Sequence, residues 1–151
     1  MTSAHPPGTC CVTALRKASR RVTKLYDDAL APAGLRSTQY SILVELARRA
    51  HEAPSLQSLA DALVMDRSAL GHTLRPLERD GLLEVRQGEE DRRQRRVVLT
   101  EQGRTVLGNA RPLWLKAQGR FCEVLGKQEA AELRATLLEI AAEERLGSLA
   151  R

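Results

Sequence analysis

The chain has 151 residues, of which 42% are hydrophobic and only 3% aromatic, and its formal net charge is +5. This length suits one globular domain with its own core, and the few aromatic rings argue against a protein that stacks single-stranded bases. No apolar run approaches the roughly 18 residues of a transmembrane helix, and no signal-peptide pattern opens the chain. The three cysteines lack the spacing of a disulfide framework, which favours a reducing compartment. A cytoplasmic protein is therefore predicted.

Six helices and two strands are predicted, in the order α-α-α-α-β-β-α-α. Each helix combines apolar residues at steps of three and four with a residue that can occupy the N-cap position. The predicted N-caps are, in chain order, Thr9, Ser37, Ser55, Asp66, Thr100 and Gly126. Pro32 and Gly34 end the first helix, and the segments 82–86 and 96–99 are predicted as a β-ribbon. The predicted fold class is mainly α with a small β-wing.

Two capped helices separated by a tight turn, 56–63 and 67–79, form a candidate helix-turn-helix. At about 100° per residue, the leucines of the second helix fall on one side and polar residues on the other. The leucines are Leu70, Leu74 and Leu77, and the polar side has Ser68, Gly71, His72, Arg75 and Arg79. This pattern predicts a helix that packs through its leucines and reads a DNA groove, and an ordinary amphipathic surface helix is the alternative.

The loop between the predicted strands contains four arginines in five residues, 92-RRQRR-96. Repulsion among these charges is offset if the loop lies against an anion. A β-ribbon directly after a helix-turn-helix forms a winged helix, whose tip can follow phosphates or enter the minor groove. DNA contacts are therefore predicted for Arg92, Arg93 and Arg95, with Asp91 pairing locally to an arginine and stiffening the tip. The alternative is a solvated charged loop.

Four stretches of the chain resemble the MarR family of transcriptional regulators. They are 35-LRSTQYSILVELA-47, 56-LQSLADAL-63, 66-DRSALGHTLRPLERDGLL-83 and 91-DRRQRRVVLTEQG-103. The wing signature of that family, D-x-R…L-T-x-x-G, is matched here by Asp91, Arg93, Leu99, Thr100 and Gly103. The resemblance spans about residues 10–145. It implies a homodimeric winged-helix protein that binds a pseudopalindromic double-stranded operator, usually as a repressor.

The resemblance also implies a division of the chain into functional parts. These are a flexible N-terminus (1–9), a dimerisation helix (10–34), a winged helix-turn-helix DNA-binding domain (35–100) and C-terminal dimerisation helices (101–151). Trp114 and Phe121, on the apolar side of the fifth predicted helix, are expected in the core or the dimer interface.

Different contacts with DNA are expected from different residues. Ser68, His72 and Arg75 are expected to contact base edges in the major groove. Of these contacts, an arginine that reads guanine would be the most discriminating. Phosphate contacts are expected from Arg67, Arg79 and the N-terminus of the second helix near Ser37.

Two kinds of signal could release such a regulator from DNA. One is a small, often aromatic or anionic ligand, for which Arg16, Arg20 and Lys24 share one side of the first helix; solvation or a contact with the partner subunit is the alternative for these cations. The other is oxidation of Cys10 or Cys11, because a helix N-terminus lowers a thiol pKa.

The thiol alternative resembles the peroxide-sensing branch of the family, with departures. The reactive cysteine of that branch aligns with Val12, and two of its tyrosines align with Arg16 and Ser37. Cys122 has apolar neighbours in the sequence and is expected in the core.

Two other classes of protein compete with a DNA-binding regulator. An enzyme is not predicted, because the sequence has no glycine-rich phosphate loop, nucleophile elbow or Cys/His metal spacing. No metal or cofactor is therefore expected. A winged helix that binds only other proteins is the second alternative.

Overall fold

The computed structural model describes residues 8–88, 91 and 93–147. Within these residues the helices are α1 (Cys11–Leu30), α2 (Ser37–Arg48), α3 (Leu56–Ala62), α4 (Arg67–Arg79), α5 (Glu101–Leu125) and α6 (Lys127–Ala142). An antiparallel pair of strands, β1 (Leu83–Gln87) and β2 (Arg95–Leu99), lies between α4 and α5. The predicted fold class and element order are confirmed. The predicted flexible segment 1–9 lies outside the described residues except for 8 and 9.

Four of the six predicted N-caps are correct. Ser55 Oγ accepts the Ser58 N–H at 3.1 Å, and the Asp66 carboxylate accepts two N–H groups of α4 at 3.1 and 3.3 Å. Thr100 Oγ1 accepts the Gly103 N–H at 2.9 Å. These short side chains satisfy donors that the first turn of a helix leaves unpaired. Gly126 is the N-cap of α6 through its backbone conformation alone.

The prediction that Thr9 caps α1 is wrong by one residue. The helix begins at Cys11, and Cys10 is the N-cap with extended backbone angles. Sequence patterns locate a helix end only to within one or two residues, because helix ends fray and no side-chain cap hydrogen bond fixes the start of α1.

The prediction that Ser37 caps α2 is also wrong, for a tertiary reason. Arg36 is the N-cap, and its N–H donates to Gln39 Oε1 at 2.9 Å. Ser37 lies inside the first turn, and its N–H donates to Asp27 Oδ1 at 2.7 Å. Asp27 belongs to α1, ten residues earlier, and also lies 3.5 Å from the Arg36 guanidinium. A carboxylate from the preceding helix therefore supplies the cap that α2 lacks locally.

The part of the chain from α2 to β2, which we call the lobe, has its core beneath α4. Leu70, Leu74 and Leu77 are at most 3% exposed and pack with Leu43 of α2 and Leu59 of α3. A fully buried leucine stabilises a fold by about 1.5–3 kcal/mol relative to an exposed one. The leucine side predicted from the sequence is therefore the side that faces inward.

The wing is joined to both α4 and α5 by a compact set of hydrogen bonds. Gly81, with φ of 73°, ends α4, and the Leu82 N–H donates back to Leu77 O at 2.9 Å. Thr100 Oγ1 donates to Gly81 O at 2.6 Å. A Cβ at Gly103 would collide with the Leu82 carbonyl. The threonine and glycine of the wing signature thus fasten the end of α4 to the start of α5.

The long helix α5 connects the lobe to the terminal helices. It packs against α1, α2 and α6, and Trp114 stacks on Tyr40 of α2 with ring centroids 6.1 Å apart. Trp114 is half-buried against the core, as predicted, and Phe121 is half-buried on the same helix. Among the described helices, none combines the length and apolar character that crossing a membrane requires.

Replacing Asp27 tests the cap that α1 provides to α2. We expect Asp27→Ala to lower the free energy of unfolding by about 1 kcal/mol, because the Ser37 N–H loses its acceptor. Asp28→Ala is the matched control: its carboxylate is 64% exposed and pairs with Lys24 on the surface, so its removal should cost less than about 0.5 kcal/mol. Equal losses in urea denaturation would contradict the assignment.

Candidate nucleic-acid interface

The polar side of α4 faces outward, opposite its buried leucines. Arg67, Ser68, His72 and Arg75 are all exposed. Gly71 lies among them with open space where a Cβ would be, so the helix backbone is accessible at this point. The structure thus brings these predicted residues together on one accessible stripe, which we call the α4 stripe.

Arg79, at the end of the α4 stripe, is already paired within the chain. Its Nε donates to Asp80 Oδ1 at 2.9 Å. This hydrogen bond raises the pKa of Arg79 above its ordinary value, and the Asp80 charge adds to the effect. A phosphate at this position would have to compete with the Asp80 carboxylate.

In the described part of the wing tip, Asp91 bonds to Arg93 and Gln94. Asp91 Oδ1 accepts the backbone N–H of Arg93 at 2.9 Å, and the Gln94 N–H donates to Asp91 O at 3.0 Å. Asp91 therefore bonds to the main chain of Arg93, whereas the sequence predicted an ion pair with an arginine side chain. The tight turn that results leaves the Arg93 side chain exposed.

The wing arginines have different environments. Arg93 and Arg95 are exposed, whereas the prediction for Arg92 falls outside the described residues. Arg96 is half-buried, and its Nη1 donates to Ala53 O at 2.9 Å. Arg96 therefore faces the body of the lobe, where it secures β2 to the segment before α3.

The N-terminus of α2 is occupied by a protein carboxylate. Ser37 is half-buried, and Asp27 accepts its N–H. Since a carboxylate and a phosphate are attracted by the same helix end, the predicted phosphate contact near Ser37 requires Asp27 to share or leave that position.

The cysteines at the start of α1 are accessible. Cys10 and Cys11 are exposed, whereas Cys122 is half-buried. Hydrogen bonds from the Thr13 hydroxyl, and secondarily from the N–H groups of Thr13 and Val12, lower the pKa of the Cys10 thiol below its ordinary value. Cys10 thus combines exposure with a lowered thiol pKa. Cys122 instead accepts a hydrogen bond from Gln118 at 3.3 Å.

A cavity of about 380 Å³ lies between α2 and α5. It is lined by Tyr40, Val44, Ala47, Arg104, Leu107, Gly108 and Arg111. Burial raises the pKa of the Tyr40 hydroxyl, and the Arg111 charge opposes part of that effect. The cavity thus combines an aromatic ring, aliphatic walls and two guanidinium groups.

Sequence reasoning missed this cavity and placed the candidate cations elsewhere. Arg16, Arg20 and Lys24 are exposed on α1, and Arg20 and Lys24 line a separate groove together with Asp27 and Arg36. Arg104 and Arg111 are seven residues apart, so a helix brings them to one side. That spacing was the available signal, but only the packing of α2 against α5 forms the cavity.

A helix-turn-helix followed directly by an antiparallel β-ribbon defines a winged helix-turn-helix protein. The MarR family model matches residues 35–94. The DNA complex of the transcriptional regulator MosR from M. tuberculosis is 30% identical, with a TM-score of 0.81 over 93% of this chain and 99% of that chain. The chain belongs to the MarR family of transcriptional regulators, which confirms the resemblance found in its sequence.

Three further solved structures, of two proteins, are similar over most of their length. A MarR-family transcriptional regulator from Rhodococcus sp. RHA1 is 26% identical, with a TM-score of 0.78 over 92% of this chain and 99% of that chain. The repressor CouR bound to a 23-mer DNA duplex is 28% identical, with a TM-score of 0.79 over 87% and 92%. CouR from Rhodococcus jostii RHA1 has also been solved with p-coumaroyl-CoA, at 27% identity, TM-score 0.75, and 92% and 96% coverage. No curated protein sequence matches the chain significantly.

The environment of Cys10 predicts a measurable pH dependence. In a Cys11→Ser/Cys122→Ser background, the rate of Cys10 alkylation by iodoacetamide should rise at a lower pH than for an ordinary thiol, because the lowered pKa populates the thiolate earlier. Thr13→Val removes the hydroxyl and keeps the β-branched shape, so the midpoint should move to higher pH. Alkylation is followed by mass spectrometry. Identical pH midpoints with and without Thr13→Val would refute the role of Thr13.

Proposed function

We propose that this MarR-family chain is a sequence-specific repressor that binds a pseudopalindromic double-stranded operator as a homodimer and is released by a small ligand. The observation that carries the proposal is the α4 stripe, held outward by buried leucines and followed by a wing with exposed arginines. The DNA-bound states of MosR and CouR support double-stranded DNA as the partner. The proposed site of action is the cytoplasm, and the proposed activity is binding, not catalysis.

In this proposal the α4 stripe enters the major groove. Ser68, His72 and Arg75 contact base edges, since side chains near the N-terminus of such a helix reach furthest into the groove. Phosphate contacts come from Arg67, from Arg79 after exchange with Asp80, and from the α2 N-terminus near Ser37.

The wing makes the second set of DNA contacts. Arg93, with Arg92 or Arg95, enters the minor groove, where a narrow groove concentrates negative potential. The hydrogen bond from the Arg93 main chain to Asp91 restricts the tip and so lowers the ordering cost of that contact.

The proposed dimer is built from 10–34 and 101–151. Parts of these segments expose large apolar side chains in the single chain, among them Val12, Leu15, Leu133, Leu137, Leu138 and Ile140. Burial of such a surface against a second copy is favourable. A twofold axis would then present two α4 stripes about one duplex turn apart.

The function is tested by footprinting the protein on the DNA that flanks its own gene, followed by titration of the protected fragment at several salt concentrations. Binding should be steeply salt-dependent, because cations that contact phosphates release counterions. A winged helix used only for protein contacts would leave the DNA unprotected at every salt concentration.

Arg93→Ala should weaken binding to specific and random DNA alike. The slope of log K against log salt should become shallower by about one for each phosphate that the variant no longer neutralises. Arg120→Ala is a control, because Arg120 is an exposed arginine on α5 paired with Glu123, and the same titrations should show no change. An unchanged slope for Arg93→Ala would remove the wing from the interface.

Arg75→Ala should relax sequence preference at one position in each half-site. A bidentate arginine–guanine contact contributes about 1–3 kcal/mol of discrimination, so binding to the operator should fall roughly 5- to 150-fold while binding to random DNA changes little. Competition assays measure both affinities, and equal losses on the two DNAs would assign Arg75 to the phosphate backbone.

We place the releasing ligand in the cavity between α2 and α5. An aromatic carboxylate suits its lining, because Tyr40 can stack on a ring while Arg104 or Arg111 pairs with the carboxylate. The CouR complex with p-coumaroyl-CoA supports an aromatic acyl compound as the ligand class. The position between the lobe and α5 would let an occupant change the spacing of the two α4 stripes.

Removing a cavity arginine should uncouple the ligand from DNA release. For Arg111→Ala we expect an unchanged DNA affinity and at least a tenfold higher concentration of 4-hydroxycinnamate or its CoA thioester for half-maximal release. Lys116→Ala, an exposed cation of α5 outside the cavity lining, should behave as wild type. Equal release curves for the two variants in fluorescence anisotropy would place the ligand elsewhere.

A thiol switch is the second candidate for the signal, favoured by the lowered pKa of Cys10. Peroxide would oxidise the Cys10 thiolate to a sulfenate, with reduction of the peroxide to water. Release of operator DNA by hydrogen peroxide should then disappear in Cys10→Ser/Cys11→Ser and persist in Cys122→Ser. Peroxide-insensitive binding by the wild-type protein would eliminate this candidate.

A further inference from the structure

Val64, in the turn between α3 and α4, combines two unfavourable features. Its φ is 50°, and among the residues that the structure describes it is the non-glycine residue with a positive φ. The residue is also 70% exposed. The left-handed region is disfavoured for any residue with a Cβ and is a genuine outlier for a β-branched one. A single residue therefore carries both backbone strain and an exposed apolar group.

The hydrogen bonds of the turn explain the backbone conformation but not the side chain. The Val64 N–H donates to Asp61 O at 3.1 Å, and the Met65 N–H donates to Ala60 O at 2.8 Å. This pattern ends a helix with one left-handed residue, a position that glycine fills without strain. The turn by itself would therefore favour glycine, and the isopropyl group of Val64 contributes nothing to the hydrogen bonds.

The position of Val64 indicates what its side chain could meet. It precedes Arg67, the first residue of α4, by three positions, and the N-terminal end of such a helix approaches the bases. It belongs to the DNA-binding lobe and not to the segments assigned to the dimer. The apolar group that the major groove offers is the C5-methyl of thymine.

We propose that Val64 is a specificity-determining residue whose isopropyl group packs against a thymine methyl at the same relative position in each half-site. The inference rests on the proposed DNA binding and deepens it. Backbone strain is tolerated at functional positions when the surrounding structure over-determines the conformation, and the two hydrogen bonds of the turn together with the Asp66 cap do so here.

The test replaces single thymines of the footprinted operator by deoxyuridine, which removes only the methyl group. Wild-type protein should lose about three- to fivefold in affinity at one thymine of each half-site. Val64→Ala should bind the unmodified operator correspondingly more weakly and should be insensitive to the same replacement. The double-mutant cycle thus isolates the contact from other effects of either change.

Val64→Gly separates the contact from the strain. We expect its Tm to rise by about 2–8 °C, since glycine adopts the left-handed region freely, while its affinity falls as in Val64→Ala. A protein that is more stable yet binds less tightly cannot owe its weaker binding to misfolding.

The outcomes distinguish the proposed role of Val64 from the proposed DNA binding. If wild-type protein binds no DNA, both are overturned. If it binds the operator but no deoxyuridine replacement weakens it, or the replacement weakens wild type and Val64→Ala equally, only the role of Val64 is overturned.

Discussion

Burial of one side of α4 is the constraint on which the rest of the molecule depends. Leu70, Leu74 and Leu77 lie under the helix and leave it one stable rotation about its axis. Because the helix advances about 100° per residue, that rotation sends Ser68 and Arg75 outward. The outward direction of the α4 stripe is therefore a consequence of leucine packing. A polar residue in place of any of the three leucines would disturb both the core and the direction of the stripe.

Two polar joints hold this lobe against the long helices. On one side the Asp27 carboxylate of α1 caps α2. On the other side Thr100 bonds to Gly81 while Gly103 lies against the Leu82 carbonyl. Both joints use short, directional hydrogen bonds, so they fix the position of the lobe relative to α1 and α5.

The two proposed sensing sites, the cavity and the cysteines, lie at different distances from the contacts between the lobe and the long helices. The cavity between α2 and α5 shares Tyr40 with the core and lies beside the contact of the lobe with α5. Cys10 and Cys11 are at the distant, exposed start of α1. An occupant of the cavity would act on the lobe directly, whereas oxidation at the cysteines would have to act through α1 or through a partner subunit. The proposed ligand would therefore act on the lobe more directly than the proposed oxidation.

The sequence by itself determined what depends on local periodicity and local capping. The leucine side of α4, the caps Ser55, Asp66 and Thr100, and the order of the elements follow from neighbours a few residues apart. Only the tertiary structure decided what depends on distant partners: Asp27 as the cap of α2, Arg96 bonded to Ala53, and the meeting of Arg111 with Tyr40. The strain at Val64 was also not predicted, although the bonds that set its φ are local, because valine at a position that favours glycine departs from the usual turn pattern. Periodicity is encoded within one helix, whereas these contacts join residues whose separation in the chain contains no local signal.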